Sequence, residues 1–361
     1  MNTEFKPPVV YHPGETLKEK LEELNMSIKE FAIRTSKPEK TIYAVINGQS
    51  SITPDMAIAF EKVTGIPTHM WLKRQRRYDE YKAEKKQEEK LSALHNWAKS
   101  FPLQTMQRYG WISFGKSIQS SVNAILSFFQ VSSEQGWKDY YFNQQLKIAF
   151  RISLNATKEP YAISAWLRQG EIQASQMSVA TFNINNLKKA LPSLKELCTK
   201  QPDDFIKQLQ GLCASVGIKL LLTQRLPKAP ISGATRWIHD SPCIQLTDRY
   251  KRNDAFWFTF FHEVGHIILH GKKDIFLEDT EYSDKEQKKE DEADHFASEM
   301  LLPIEQENEI IQHGDYSEFT ILTYAEKFNV HPAIIVGRLQ HRGIIPYSIF
   351  QNLKVNIDLF A

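Results

Sequence analysis

The sequence predicts a mainly α-helical chain with a small β-sheet, an α+β protein with helical bundles ahead of one mixed C-terminal domain. Three observations carry this. Apolar residues recur at helical spacing along most of the chain, only Ile218–Thr223 and Cys243–Thr247 read as short strands, and the eleven residues Phe260–His270 read FFHEVGHIILH. At 361 residues, 42% hydrophobic and 24% charged, the chain has ordinary globular composition and is longer than one typical domain. The expected division is 1–82, 83–193 and 194–361.

The N-terminal part reads as four short helices. Glu15–Asn25 and Ser27–Thr35 are amphipathic, Pro38–Asn47 ends in Asn47-Gly48 as a helix C-terminus should, and a fourth helix runs from Pro54 to Thr64. Ser27 is an N-cap, with Glu30 three residues on completing a capping box. Leu17, Leu21, Ile28, Phe31, Ala32, Ile42, Val45 and Ile46 form the expected core. This is the layout of a helix-turn-helix with the third segment as recognition helix, which leaves Lys37, Lys40, Thr41, Tyr43 and Asn47 to meet DNA. The same residues would also make an ordinary polar helix face. Sixteen Lys and Arg against fourteen Asp and Glu in residues 1–90 mark no strongly basic domain, so an operator would be held weakly or through a homodimer. Such a fold also serves protein–protein contact.

The middle of the chain is less distinctive. Trp71–Ser100 reads as one long helix whose cluster Lys73, Arg74, Arg76 and Arg77 reads as a solvated face, or else as a contact for phosphates. Ser117–Phe129 and Tyr161–Gln176 are further helices, and Trp137 and Trp166 are core residues, giving a helical region that connects or senses. Three scattered cysteines, Cys198, Cys213 and Cys243, fit neither a disulfide framework nor a zinc ribbon and read as buried side chains. No apolar run approaches the roughly 20 residues of a membrane span, and MNTEFKPPVVYHPGE contains no signal-peptide core. The expectation is a cytoplasmic protein without a membrane partner. The formal net charge of +2 says little about partners.

The chemistry is concentrated near His262. His262 and His266 are i and i+4 on one helix face, where two imidazoles can grip one ion, and Glu263 lies beside the water that the ion acidifies. That pattern suits metal-assisted hydrolysis. A core helix that happens to hold two histidines would carry the same flanking apolar residues, Phe260, Phe261, Val264, Ile267, Ile268 and Leu269. His270 lies about 12 Å from His262 along the axis, too far to share one ion with ligand bonds of about 2 Å, and is expected to support the site rather than bind. A third ligand must come from elsewhere, and Lys289–Pro303, KEDEADHFASEMLLP, reads as the helix that supplies it. Glu290 and Asp294 share a face there. Glu290 completes a His2Glu set with a position open for water, and Asp294 accepts the free N–H of a ligand histidine. Asp291 and Glu292 read as parts of a solvated charged run. Phe319–Phe328 and His331–Gln340 read as two further helices that pack on this domain, although their layout would also suit another helix-turn-helix.

HEVGHIILH followed by EDEADHFASEMLLP resembles the ImmA/IrrE family of intracellular zinc metallopeptidases, whose domain is similar to a minimal gluzincin. The resemblance covers roughly Leu194–Gly343, including GATRW at Gly233–Trp237. It implies one Zn2+ per chain on His262, His266 and Glu290, with Glu263 as catalytic acid/base. It also implies limited cleavage of a regulatory protein, such as a repressor or toxin-like partner. It supplies no transition-state donor, for which Arg236, Arg249 and His295 are candidates, each also readable as structural. In zinc peptidases a sheet edge commonly aligns an extended substrate, and Cys243–Thr247 is the strand expected to do so. HPGETLKE at His12–Glu19 and TIYAVINGQSSITPDMA at Thr41–Ala57 resemble the XRE-type domain of HigA-like antitoxins, over about Pro7–Tyr81. Here the chain departs from the pattern. Ser36 replaces the usual turn glycine, Pro38 the usual cap serine, and Glu39, Ala44 and Gln49 stand where basic residues are common. The alternative reading is therefore a HigA-like antitoxin or transcriptional repressor whose metal domain senses or scaffolds.

Overall fold

The computed structural model describes residues 10–145, 160–227, 229, 231–249, 251–271, 276–277 and 284–360, in two compact units, Met1–Leu94 and His95–Ala361. The first contains α1 (Pro13–Glu23), α2 (Ile28–Thr35), α3 (Glu39–Ile46), α4 (Pro54–Thr64) and α5 (Thr68–Ala93). Ser27 caps α2 by accepting the Glu30 backbone N–H at 3.1 Å. Ser36 ends that helix in the left-handed region at φ 54°, which explains why glycine is usual there: a Cβ makes the conformation costly. Pro38 stands before α3 without a side-chain cap.

Leu17, Leu21, Phe31, Ala32, Ile42 and Val45 close round Phe60 and Trp71, with Ile28 and Ile46 packed partly buried against them. The predicted helix Trp71–Ser100 is two helices, because α5 ends at Ala93, capped by Leu94, and α6 (His95–Lys99) begins anew. Its uniform polarity offers no periodic face that would hold a longer rod against a core.

The second unit continues through α7 (Leu103–Arg108), α8 (Ile118–Phe129) and α9 (Glu134–Trp137), which runs on as a π-helical segment, Lys138–Gln145. Next come α10 (Pro160–Gln176), α11 (Ile184–Lys200) and α12 (Phe205–Ser215), then β1 (Lys219–Leu222), β2 (Gly233–Ile238) and β3 (Ser241–Leu246). The chain proceeds through α13 (Asn253–Leu269), β4 (Phe276–Leu277), α14 (Asp284–Leu301), α15 (Ile304–His313), α16 (Glu318–Phe328) and α17 (Pro332–His341). Trp137 and Trp166 are buried core residues, and all three cysteines are buried free thiols.

The sheet order is β1-β3-β2-β4, with β1 parallel to β3 and the remaining pairs antiparallel. The strand β2 was not among those predicted; it forms a tight hairpin with β3 through His239-Asp240, where His239 takes φ 58°. Side chains alternate across this sheet. Leu220, Ile244 and Leu246 join the core under α13, while Leu221 and Cys243 pack with Ala174 of α10 on the other face. The expectation that Cys243–Thr247 aligns a substrate is corrected by this order. β3 is an inner strand whose residues pair on both sides, so no backbone edge is left for an added strand.

Candidate metal centre

Helix α13 is apolar on nearly every side and buried along most of its length. Polar groups within it therefore need partners. His262, Glu263 and His266 are all 0–2% exposed. Close approach of α14 supplies the partners: Gly265 stands where a Cβ would lie 3.1 Å from the Phe296 ring and 3.3 Å from the Ala293 backbone, and Ala293 and Ala297 are fully buried opposite it. Small residues on both helices thus bring Glu290 to the two histidines.

One ligand atom from each of His262, His266 and Glu290 lies within 4.8 Å of the others. Nε2 of His262 is 2.9 Å from Nε2 of His266 and 3.2 Å from Oε2 of Glu290. Oε1 of Glu290 is 3.5 Å from His266 Nε2 and is buried without a hydrogen bond. Two imidazole nitrogens converging on a buried carboxylate fit a cation, and two imidazoles with one carboxylate are the donor set of a catalytic zinc.

Burial pushes the His266 imidazole down to about 4, so it is neutral near pH 7 and can offer a lone pair. Burial alone would raise the Glu290 carboxyl, but the imidazoles of His262 and His266 beside it outweigh burial and hold the group at about 2. Near neutral pH His266 and Glu290 can therefore both offer lone pairs to a cation.

The other expected residues divide. Asp294 Oδ1 lies 2.8 Å from His262 Nδ1. His270, 4% exposed at its side chain, lies with Nδ1 3.1 Å from His266 Nδ1. Glu292, read from the sequence as solvated, reaches His270 Nε2 with Oε2 at 3.0 Å; Asp291 accepts instead from Gln287. The signal for Glu292 lay in His270 itself, since a histidine inside an apolar stripe needs an acceptor for its second nitrogen. Gly233 was also missed as a site residue. A Cβ there would stand 2.6 Å from Glu263 Oε1 and 2.9 Å from Thr259 Cγ2, so the glycine makes room for the glutamate. Thr235, two residues on, donates to the Glu263 carbonyl at 3.2 Å.

Of the transition-state candidates, Arg236 points to the opposite face of the sheet, bound to Glu171 at 3.2 Å and to the Leu167 carbonyl. Alternation along β2 explains this: Gly233 and Thr235 face α13, and Arg236 faces α10. His295 is exposed and Arg249 half-buried.

In the first unit Lys40, Tyr43 and Asn47 lie exposed on one face of α3, opposite buried Ile42 and Val45. Thr41 is half-buried, and Lys37 pairs with Asp55.

Comparison with known proteins agrees with this division. A helix-turn-helix family model matches residues 17–71, and a peptidase family described as the IrrE N-terminal-like domain matches residues 213–340. An uncharacterized HTH-type transcriptional regulator of Escherichia coli K12, YddM, is 37% identical over 73 residues, which are 20% of this chain and 78% of that protein. Two solved structures match 23% of this chain and 92% of their own. They are a putative antidote protein of a plasmid maintenance system from Nostoc punctiforme, 34% identical with a TM-score of 0.23, and an addiction module antidote protein of a HigA family from Coxiella burnetii, 36% identical with a TM-score of 0.22.

Proposed function

We propose, for a chain that belongs to the XRE-type helix-turn-helix regulators over its first unit and carries an IrrE N-terminal-like, metallopeptidase-like domain in its second, that it is a cytoplasmic zinc endopeptidase cleaving a regulatory protein partner. The observation that carries the reading is the buried convergence of His262, His266 and Glu290, with Glu263 beside His262 on the same helix and wholly buried.

In this reading His262, His266 and Glu290 would hold one zinc, which would supply Lewis acidity toward a scissile carbonyl and a water. Glu263 would serve as the base for a water and as the acid for the leaving amine. Gly233 keeps the space its carboxylate needs, and Thr235 holds the Glu263 carbonyl. Asp294 keeps the His262 Nδ1–H engaged, so that Nε2 faces Glu290. In the first unit, Lys40, Tyr43 and Asn47 are the side chains offered to an operator, with Lys37 and Thr41 beside them.

The test begins with elemental analysis of the purified chain beside Glu290→Ala. About one zinc per chain, lost in the variant, supports the site; a zinc-replete chain without metal removes the peptidase reading. Glu263→Gln then serves to trap a partner, since it keeps the ligands and removes the base.

A second reading is favoured by the likeness to a transcriptional regulator over 20% of the chain. Here the protein is chiefly a repressor or antitoxin, and the metal domain senses. Glu263→Gln separates the two: a repressor keeps its function in that variant and loses it on substitution of Lys40 or Tyr43.

A further inference from the structure

The two candidate ligand histidines are held differently. His262 meets a carboxylate directly, Asp294 Oδ1 at 2.8 Å from Nδ1. His266 meets a second imidazole, His270, at 3.1 Å between Nδ1 atoms, and that imidazole meets Glu292 Oε2 at 3.0 Å from Nε2. We infer that Glu292 and His270 form a two-step anchor that decides which nitrogen of His266 carries its proton, and so presents Nε2 to the metal. The inference rests on the zinc reading proposed above.

An ionised carboxylate only accepts, so Nε2 of His270 must donate to Glu292. A neutral imidazole carries one N–H, which leaves Nδ1 of His270 as an acceptor. Nδ1 of His266 then donates to it, and Nε2 of His266 is left with its lone pair toward His262 and Glu290. The carboxylate at the end of the chain thus sets both tautomers, as Asp294 sets that of His262 in one step. Glu292 does this from the surface. Its side chain is 46% exposed, whereas that of His270 is 4% exposed, so its removal leaves no core cavity. Both anchors rise from α14, two residues apart, and one serves each histidine of α13. Glu292 and His270 are positioning residues, because neither belongs to the cluster of ligand atoms.

The test uses the full chain and zinc alone, titrated against a chromophoric chelator, with the visible spectrum of the cobalt(II)-substituted protein as a second readout. Glu292→Ala and His270→Ala are expected to weaken zinc binding by about 10–100-fold and to change the cobalt spectrum. Glu292→Gln, which keeps an acceptor oxygen, should recover most of both. Glu292→Ala also covers the case of a His270→Ala chain that fails to fold. Wild-type zinc affinity with an unchanged cobalt spectrum in Glu292→Ala overturns the anchor while leaving the zinc site standing. A wild-type chain that takes up no zinc overturns the zinc reading and the anchor together.

Discussion

Helices α3 and α13 carry the candidate functional residues of the two units, and they do so in opposite surroundings. On α3 the side chains Lys40, Tyr43 and Asn47 stand in solvent, and the helix needs only Ile42 and Val45 beneath it. On α13 the side chains His262, Glu263 and His266 are enclosed, and partners for the histidines come from Glu290, Asp294 and, through His270, Glu292. Water satisfies an exposed polar group wherever it points, whereas a buried one must be met by the protein at a fixed distance. Buried function therefore brings a network with it, and exposed function does not.

The largest effect should come from the buried side. Glu263→Gln is expected to lower cleavage of a partner by about 10²–10⁴-fold, the range of a lost general base, while zinc per chain, measured by elemental analysis, stays as in the wild type. Glu290→Ala should strip the zinc itself and leave operator binding intact; a loss of both would show that the contrast between the units is not a functional one.

Acid should sharpen the contrast. His266 has its folded value lowered from 6.5 to about 4 by burial, so the unfolded chain gains a proton first as pH falls. Its contribution to stability is complete above pH 6.5 and is lost as pH drops toward 4, a difference of roughly 3 kcal/mol. Urea unfolding of the metal-free chain at several pH values across that window would measure it, and a flat response would break the comparison. Burial lowers His331 in the same unit as well, with the same sign.

Gly233→Ala should cost about 1–3 kcal/mol by overpacking, because its Cβ would meet Glu263 Oε1 at 2.6 Å. Thermal unfolding reads the stability, and partner cleavage should fall with it. The smallest effect belongs to the exposed helix. Lys40→Ala is expected to weaken an operator complex several-fold and lower the slope of log affinity against log salt by about 1, with unit stability unchanged in a melting curve.

The same contrast explains what could be read in advance. HEVGH was legible because two histidines and a glutamate interrupt an apolar helix, and an interruption there demands a reason. Ser27 and Glu30 announced the start of α2 through a local bond. The face of α3 carried no comparable signal, since polar residues on an exposed helix are the default. Strand β2 escaped because GATRWI has no clean alternation: one face carries Gly233 for Glu263, and the other carries Arg236 for Glu171.

Short-range relations were settled by the chain itself. The i,i+4 pairing of His262 with His266, that of Glu290 with Asp294, and the ends of the N-terminal helices all follow from 3.6 residues per turn and from bonds between residues a few positions apart. The approach of α14 to α13, the inner position of β3 and the reach of Glu292 to His270 belong to the folded protein. They depend on how closely Gly265, Ala293 and Ala297 let two helices pack, and on which strands neighbour which. Such distances between segments far apart in sequence are set by packing of the whole core, which no local spacing encodes.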